Sequence, residues 1–368
     1  MINKMVVANL VQRPMRSLIS ISAVALEVIL ILLIVAFFYG QLNGSKASQL
    51  GVGADVMVQP PGSSNLVGVT GAPMPVKVGD VLRKLPHVMV ASPVIWELTT
   101  KPTLEIIYGI DINSYNSIPP LFHFLSGGPF QGPYDVIVDD YFSGSKHLQA
   151  GDSIDILNHK FRISGIVEHG KGARKFLPLS TMQDLIGTPD HASVFYIKVD
   201  TPENVEPVIN EIKQVPGMQD YSVRSMQEYL SMMTPESLPG FATAIRIVVA
   251  IAMIIGFIVI FQSMYTAVME RTREIGILKS LGASKLYIVN VILRETVLLA
   301  VVGIVVGTIV SLVARHVILV ELPTQRLFWS AGWVVRATVI ALTGSILGAL
   351  YPAFKAAQKD PIDALAYE

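Results

Sequence analysis

The chain is 368 residues long, 51% hydrophobic, only 15% charged, and free of cysteine. A soluble domain carries about 25% charged residues, so this is the composition of a membrane protein, and the missing cysteines exclude disulfide scaffolds, thiol catalysis, Cys-based zinc sites and iron–sulfur clusters. The formal net charge is zero, without a run of like charge or a low-complexity tract, which argues against disordered nucleic-acid-binding arms.

A bilayer core about 30 Å thick is crossed by roughly 20 apolar helical residues. The first qualifying stretch is Leu18 to Tyr39. Ser45-Lys46-Ala47 is a faint cleavage-site match, but the apolar run exceeds the roughly 7–15 residues of a cleaved leader, so the segment reads as a retained anchor. Glu27 interrupts it. A carboxylate there costs a few kcal/mol unless it is paired, wet or protonated. That leaves two readings, a structural contact with a hydroxyl or arginine of a neighbouring helix, and a role in gating or cargo contact.

Residues 44–238 have ordinary polarity and strand-like alternation. Asp80 to Leu85 and Val205 to Val215 read as amphipathic helices, the second with Thr201 as N-cap and Pro202 at its first position. Each stops at a proline, Pro86 and Pro216, and each is followed by an extended stretch, Pro93–Thr99 and Tyr221–Arg224. The repetition suggests a split βαβ unit. Between the copies, Asp135–Val138, Ser153–Leu157, Phe161–Val167 and Ser193–Val199 read as short strands of a β-rich insert.

Three further apolar stretches follow, Phe241 to Val268, Thr296 to Ala314 and Gly332 to Phe354. In the segment between the first two of these, Ile275, Leu278 and Leu281 are expected on one face of a short helix, with Gly282 as its C-cap and Ser284 capping the next helix. A helix of this kind suits either docking into another protein's groove or resting on lipid headgroups. Gly303 with Gly307, and Gly344 with Gly348, are small residues four apart that let helices approach closely. They are expected to pack the last two spans on each other, with dimerisation as the second reading. Arg246, Arg294 and Glu295 fall near span ends, where snorkelling is cheap.

Charge sorts the sides. Segment 44–238 holds 14 basic and 20 acidic residues, a net of −6; with 28 of each in the chain, the remainder nets +6. Lys4, Arg13 and Arg16 precede the first span, and Arg271, Arg273, Lys279, Lys285 and Arg294 follow the second. The positive-inside rule places both groups in the cytoplasm and the large segment outside, with both termini inside. Arg315, Arg326 and Arg336 around the last outer loop weigh mildly against this. The seven histidines show no metal-binding spacing, no Gly-x-Ser-x-Gly elbow occurs, and no Gly-x-x-x-x-Gly-Lys-Ser/Thr loop is present to cradle phosphates. Ser143-Gly144-Ser145-Lys146 matches Ser-x-x-Lys formally and is expected to be a loop. Catalysis by this chain is not expected.

The segment Met269-Glu270-Arg271-Thr272-Arg273-Glu274-Ile275-Gly276-Ile277-Leu278-Lys279-Ser280-Leu281-Gly282-Ala283-Ser284 resembles the loop between spans two and three of the MacB/FtsX-like permeases of ABC transporters. Gly53-Ala54-Asp55-Val56-Met57-Val58, Gly151-Asp152, Phe161–Val167, Tyr221–Arg224, Tyr351-Pro352-Ala353 and Asp360–Leu365 resemble further family segments in the same order. The resemblance implies four transmembrane helices in a 1+3 layout with a large α+β extracytoplasmic domain of two subdomains. The corresponding plan is a cytoplasmic segment 1–17, span one with its stalk 18–43, a core domain 44–238 with halves near 44–115 and 193–238 around an insert near 116–192, span two 239–268, a coupling loop 269–289, and spans three and four with a cytoplasmic tail 290–368. It implies a dimeric bacterial inner-membrane permease, with a second copy or a paralogue, driven by a cytoplasmic ATPase dimer that binds ATP and Mg. With 17 residues ahead of the first span, that ATPase is expected on a separate chain. Arg271, Glu274, Ile275, Leu278, Gly282 and Ala283 would contact or shape the joint. Export of a drug, peptide, lipid or lipoprotein is the implied activity, with a periplasmic adaptor and an outer-membrane channel as further partners. The alternative is a non-transporting FtsX-type mechanotransmitter acting on a cell-wall hydrolase.

Overall fold

The computed structural model describes residues 14–63, 73–99, 105–236, 240–321 and 325–359. Lys4, Arg13, most of segment 1–17 and the closing Asp360–Leu365 motif lie outside the described residues. The first helix, α1 (Pro14–Leu50), runs well past the apolar stretch and supplies residues to both compact units of the chain, a helical unit up to Gly40 and an α/β unit from Gln41.

The α/β unit takes Gln41–Pro239 and Leu322–Arg326. Its strands among the described residues are β1 (Val56–Gln59), β2 (Met74–Pro75), β3 (Val88–Thr99), β4 (Glu105–Ile110), β5 (Phe124–Gly127), β6 (Asp135–Asp139), β7 (Ser153–Ile156), β8 (His159–Val167), β9 (Lys175–Pro178), β10 (His191–Ala192), β11 (Val194–Val199) and β12 (Ser222–Ser225). Its helices are α2 (Val78–Leu82), α3 (Ile112–Tyr115), α4 (Asp140–Lys146), α5 (Leu179–Ile186), α6 (Val205–Gln214) and α7 (Met226–Met232). One sheet runs in the order β12-β1-β11-β3-β4-β9-β6-β8-β5, with β7 also on β8. β1–α2–β3 leaves a gap one strand wide that β11 fills, and β11–α6–β12 leaves a gap that β1 fills. Two split βαβ units therefore interlock.

The insert builds no sheet of its own. β9 pairs in parallel with β4, Ile107 opposite Lys175, and β5 to β8 extend the same sheet, while β10 pairs with β2. Burial is nonetheless divided. One apolar cluster gathers Val58, Leu82, Phe195, Val208 and Ile212, and another Ile107, Val136, Phe161, Leu177 and Met182. The inward face of α6, Val208, Ile209 and Ile212, contributes about 1.5–3 kcal/mol per side chain. Ser143–Lys146 is helical, not a loop, because Asp139 caps α4 by accepting from the Phe142 N–H at 2.7 Å. Its Ser143 hydroxyl donates to the Asp140 carbonyl. The end of α1 is held here too: buried Gln49 donates to the Tyr108 hydroxyl at 2.5 Å and accepts from Tyr196 at 2.7 Å.

The helical unit adds α8 (Phe241–Glu270), α9 (Thr272–Ser280), α10 (Lys285–Glu321) and α11 (Ala331–Gln358). Helices α1, α8, α10 and α11 are long and apolar enough to cross a membrane. They share a core of Val28, Ile31, Ala252, Ile260, Leu299 and Ala341, while Ile254, Ile258, Val305 and Val339 are exposed on the outside. Helices that are apolar on every side are stable where the surroundings are lipid.

The glycine pairs do not pack the last two spans on each other as expected. A Cβ at Gly303 would lie 2.7 Å from Val24 Cβ and one at Gly307 2.7 Å from the Ala25 carbonyl, so this pair faces α1. A Cβ at Gly348 would lie 2.8 Å from the Phe257 carbonyl, and the neighbour of Gly344 is Met253 at 3.7 Å, so that pair faces α8. Spacing of four marks a close approach but does not name the partner helix.

Candidate functional site

The α8–α9–α10 corner is assembled by local chemistry. Arg271 leaves helical geometry at φ −109° and ends α8; Thr272 donates to the Met269 carbonyl at 2.9 Å and begins α9. Its far end is a Schellman turn. The Ala283 N–H donates to the Leu278 carbonyl and the Gly282 N–H to that of Lys279, both at 3.0 Å, with Gly282 at φ +94°. Ser284 then caps α10 by accepting from the Tyr287 N–H at 3.2 Å.

The two faces of α9 differ. Ile275 is buried and Leu278 half-buried, packed with Val268, Ile288 and Ala353, and Ala283 packs beside them. Arg273, Glu274, Ile277 (45% exposed) and Leu281 (81% exposed) are exposed, Glu274 and Ile277 also at the edge of a cavity. Leu281 was expected beside Ile275 and Leu278. A spacing of three falls short of a turn by about 60° per step, so two steps carry Leu281 round to the free surface, where Leu286 is also exposed. A cavity of about 330 Å³ between α8, α9 and α10 is lined by Arg271, Glu274, Ile275, Leu278, Ile292 and Glu295 among others. The fold thus brings four of the six residues expected at the joint to one cavity, with Glu295 beside them. The far end of α9 is tied down as well, since the Lys279 ammonium donates to the carbonyls of Ala357 (3.0 Å) and Lys359.

Arg271, expected to contact or shape the joint, is turned toward the neighbouring helices. Its Nη1 donates at 3.0 Å to Oε2 of Glu295, whose Oε1 accepts from Arg16 Nη2 at 2.9 Å. Arg16 also lies 3.7 Å from Glu270. Glu295 is 3% exposed, Arg271 11% and Arg16 12%, so this is not the headgroup snorkelling expected for Glu295. A sequence signal existed: Arg16 and Glu295 are opposite charges beside apolar runs whose ends were assigned to the same side.

Glu27, buried at 2%, has neither a hydroxyl nor an arginine on its carboxylate; both oxygens are without a hydrogen-bond partner among the described residues. Oε2 occupies the space beside Gly256, where a Cβ would lie 2.0 Å away, and Oε1 is 3.9 Å from the same point on Gly344. Gly256 was not singled out in the sequence.

The α/β unit holds a similar contrast. Burial raises the Asp135 carboxyl, but the Arg162 guanidinium and the N–H groups of Gln131 and Gly132 outweigh it and hold it below the ordinary aspartate value. Asp139, with Arg174 no nearer than 4.0 Å, is pushed up to about 6 by burial. Buried Lys171 donates to the carbonyls of Ile118 (2.7 Å) and Pro120, and burial brings it down to about 8. Arg326, whose position weighed against the topology, donates at 2.7 Å to the Gly44 carbonyl within the α/β unit. No cluster of metal-ligating side chains occurs among the described residues.

Comparison with known proteins places two family models on the chain, the MacB-like periplasmic core domain over residues 17–215 and the FtsX-like permease C-terminal region over residues 246–361. An ABC transporter permease of Methanocaldococcus jannaschii is 25% identical over 237 residues, 61% of this chain and 59% of the relative. The ABC transporter permease YknZ of Bacillus subtilis is 28% identical over 231 residues, 59% of this chain and 55% of the relative. The macrolide export ATP-binding/permease protein MacB of Escherichia coli K12 is 29% identical over 235 residues, 59% of this chain and 35% of that protein. The chain thus spans less than two thirds of each of these relatives. The crystal structure of the periplasmic region of MacB from Actinobacillus actinomycetemcomitans superposes with a TM-score of 0.40 at 16% identity, covering 50% of this chain and 94% of that structure.

Proposed function

Because this chain belongs to the family of MacB/FtsX-like ABC transporter permeases, we propose that it is the membrane subunit of an exporter whose ATPase is another polypeptide. In this reading a cytoplasmic ATPase dimer, carrying ATP and Mg, docks on the outward face of α9. Its closure moves α9, and the movement is passed through the four spans to the α/β unit, which works as two subdomains outside the membrane. That unit drives a drug, peptide, lipid or lipoprotein onward. A second copy of the chain or a paralogue completes the permease.

The observation that carries the reading is the asymmetry of α9. A docking helix must be fastened to its own subunit and bare on one side, and Ile275 and Leu278 are packed inward while Arg273, Glu274, Ile277 and Leu281 are open. The opposite charges of segment 44–238 and the remainder support inner-membrane placement with both termini inside. No phosphate-cradling motif occurs in these 368 residues.

The test is purification of the tagged chain from its host membrane with its bound partners. An ATP-hydrolysing subunit is expected to accompany the wild type, and Leu281→Asp is expected to release it while the permease stays in the membrane. A wild-type chain that brings down no such subunit would refute the proposal. Cargo release without change when a cell-wall hydrolase is deleted separates export from the mechanotransmitter alternative.

A further inference from the structure

We propose that the buried Arg16–Glu295–Arg271 cluster is the linkage that fastens the start of α9 to α1, so that displacement of α9 is delivered to α1 directly and not only through the chain connection to α8. This inference rests on the functional reading above and adds the route to it.

The geometry is specific. Each carboxylate oxygen of Glu295 takes one guanidinium N–H, at 2.9 Å from α1 and 3.0 Å from the α8–α9 corner. Glu270 stands 3.7 Å from Arg16, so two acids balance two arginines. Removing such charges from water costs about as much as their attraction returns, so a buried ion cluster is poor evidence for added stability. What charge-assisted bonds with planar guanidinium groups add is direction. Here that direction fixes three segments from distant parts of the sequence in one arrangement.

The segments are well chosen for transmission. Helix α9 is held at its start by Arg271 and at its end by Lys279, so it moves with its neighbours. Helix α1 contributes to both units, and Gln49 near its other end is hydrogen-bonded to Tyr108 and Tyr196 of the sheet. A push on α9 therefore enters a helix that is anchored in the α/β unit.

The natural absence of cysteine makes the test direct. Leu50, 64% exposed at the end of α1, is replaced by a spin-labelled cysteine in the full chain, purified with its co-purifying ATPase, and the spectrum is recorded with and without ATP. Arg16→Gln removes the α1 arm and leaves the Glu295–Arg271 pair intact. It is expected to keep the ATPase bound and hydrolysing ATP while reducing the ATP-dependent spectral change at least about fivefold. Arg16→Lys, which keeps a charge within reach of Glu295, is expected to retain the change, an outcome that a role in folding alone would not give. An undiminished spectral change in Arg16→Gln overturns the linkage. A wild-type label that ignores ATP, despite a bound and active ATPase, overturns the functional reading and the linkage with it.

Discussion

Two carboxylates are almost equally buried in the helical unit, and the protein treats them in opposite ways. Glu295, at the end of the bundle where α9 begins, has both oxygens bonded to arginine. Glu27, in the middle of α1, meets no hydrogen-bond partner among the described residues and fits a notch left by Gly256 and Gly344. Charge is retained where segments must be fastened, and side-chain volume is removed where helices must close around a polar group. The α/β unit repeats the contrast with Asp135, paired to Arg162, and Asp139, which burial governs.

The largest expected effect tests the paired member. Glu295→Ala removes the buried acid that Arg16 and Arg271 share and should cost about 3–5 kcal/mol, read as thermal unfolding of the detergent-purified chain. A cost below about 1 kcal/mol, the range of exposed pairs, would mean that solvent already screens the cluster. Next comes the notch. Gly256→Ala places a methyl 2.0 Å from Glu27 Oε2 and should destabilise by about 1–3 kcal/mol. In a Glu27→Ala background the same change should become neutral or favourable, because helix propensity gains up to about 1 kcal/mol from Gly to Ala. Additive effects would show that the glycine is not there for the carboxylate.

The third prediction concerns pH. Asp139 rises from 3.8 unfolded to about 6 folded. The folded state therefore binds the extra proton, and the stability it contributes is complete below pH 3.8 and lost as pH rises through about 6. Asp139→Asn keeps the cap and should flatten that part of the unfolding profile; an unchanged profile would contradict it. The smallest effect is expected at Gly344→Ala, where the nearest atoms lie at 3.7 Å. That is ordinary contact, so stability should hold or improve by up to about 1 kcal/mol.

What could be read from the sequence follows the same physics. The four membrane-length helices were evident because each is a long apolar run, although α1 and α10 extend beyond the runs that announced them. The interlocked βαβ units showed in their amphipathic helices and proline stops. Strands β4 and β9 were missed because burial erases the alternation that would mark them, Tyr108 through Ile110 and Lys175 through Leu177 being buried without a break. At the candidate site, Gly282 and Ser284 were legible as caps because capping is a local code. The joining of Arg16 and Arg271 through Glu295 was announced only by opposite charges beside the spans, because the contact lies between segments that only the folded chain brings together.

The central claim, that an ATPase meets the outward face of α9, is tested most directly by a photo-crosslinking residue at Leu281 in native membranes, with buried Ile275 as the control position. The account predicts an adduct between position 281 and a nucleotide-binding subunit, with a yield that changes on adding ATP and that is absent at position 275. Adducts from position 281 to lipid alone, or to the nucleotide-binding subunit in equal yield from both positions, would contradict it.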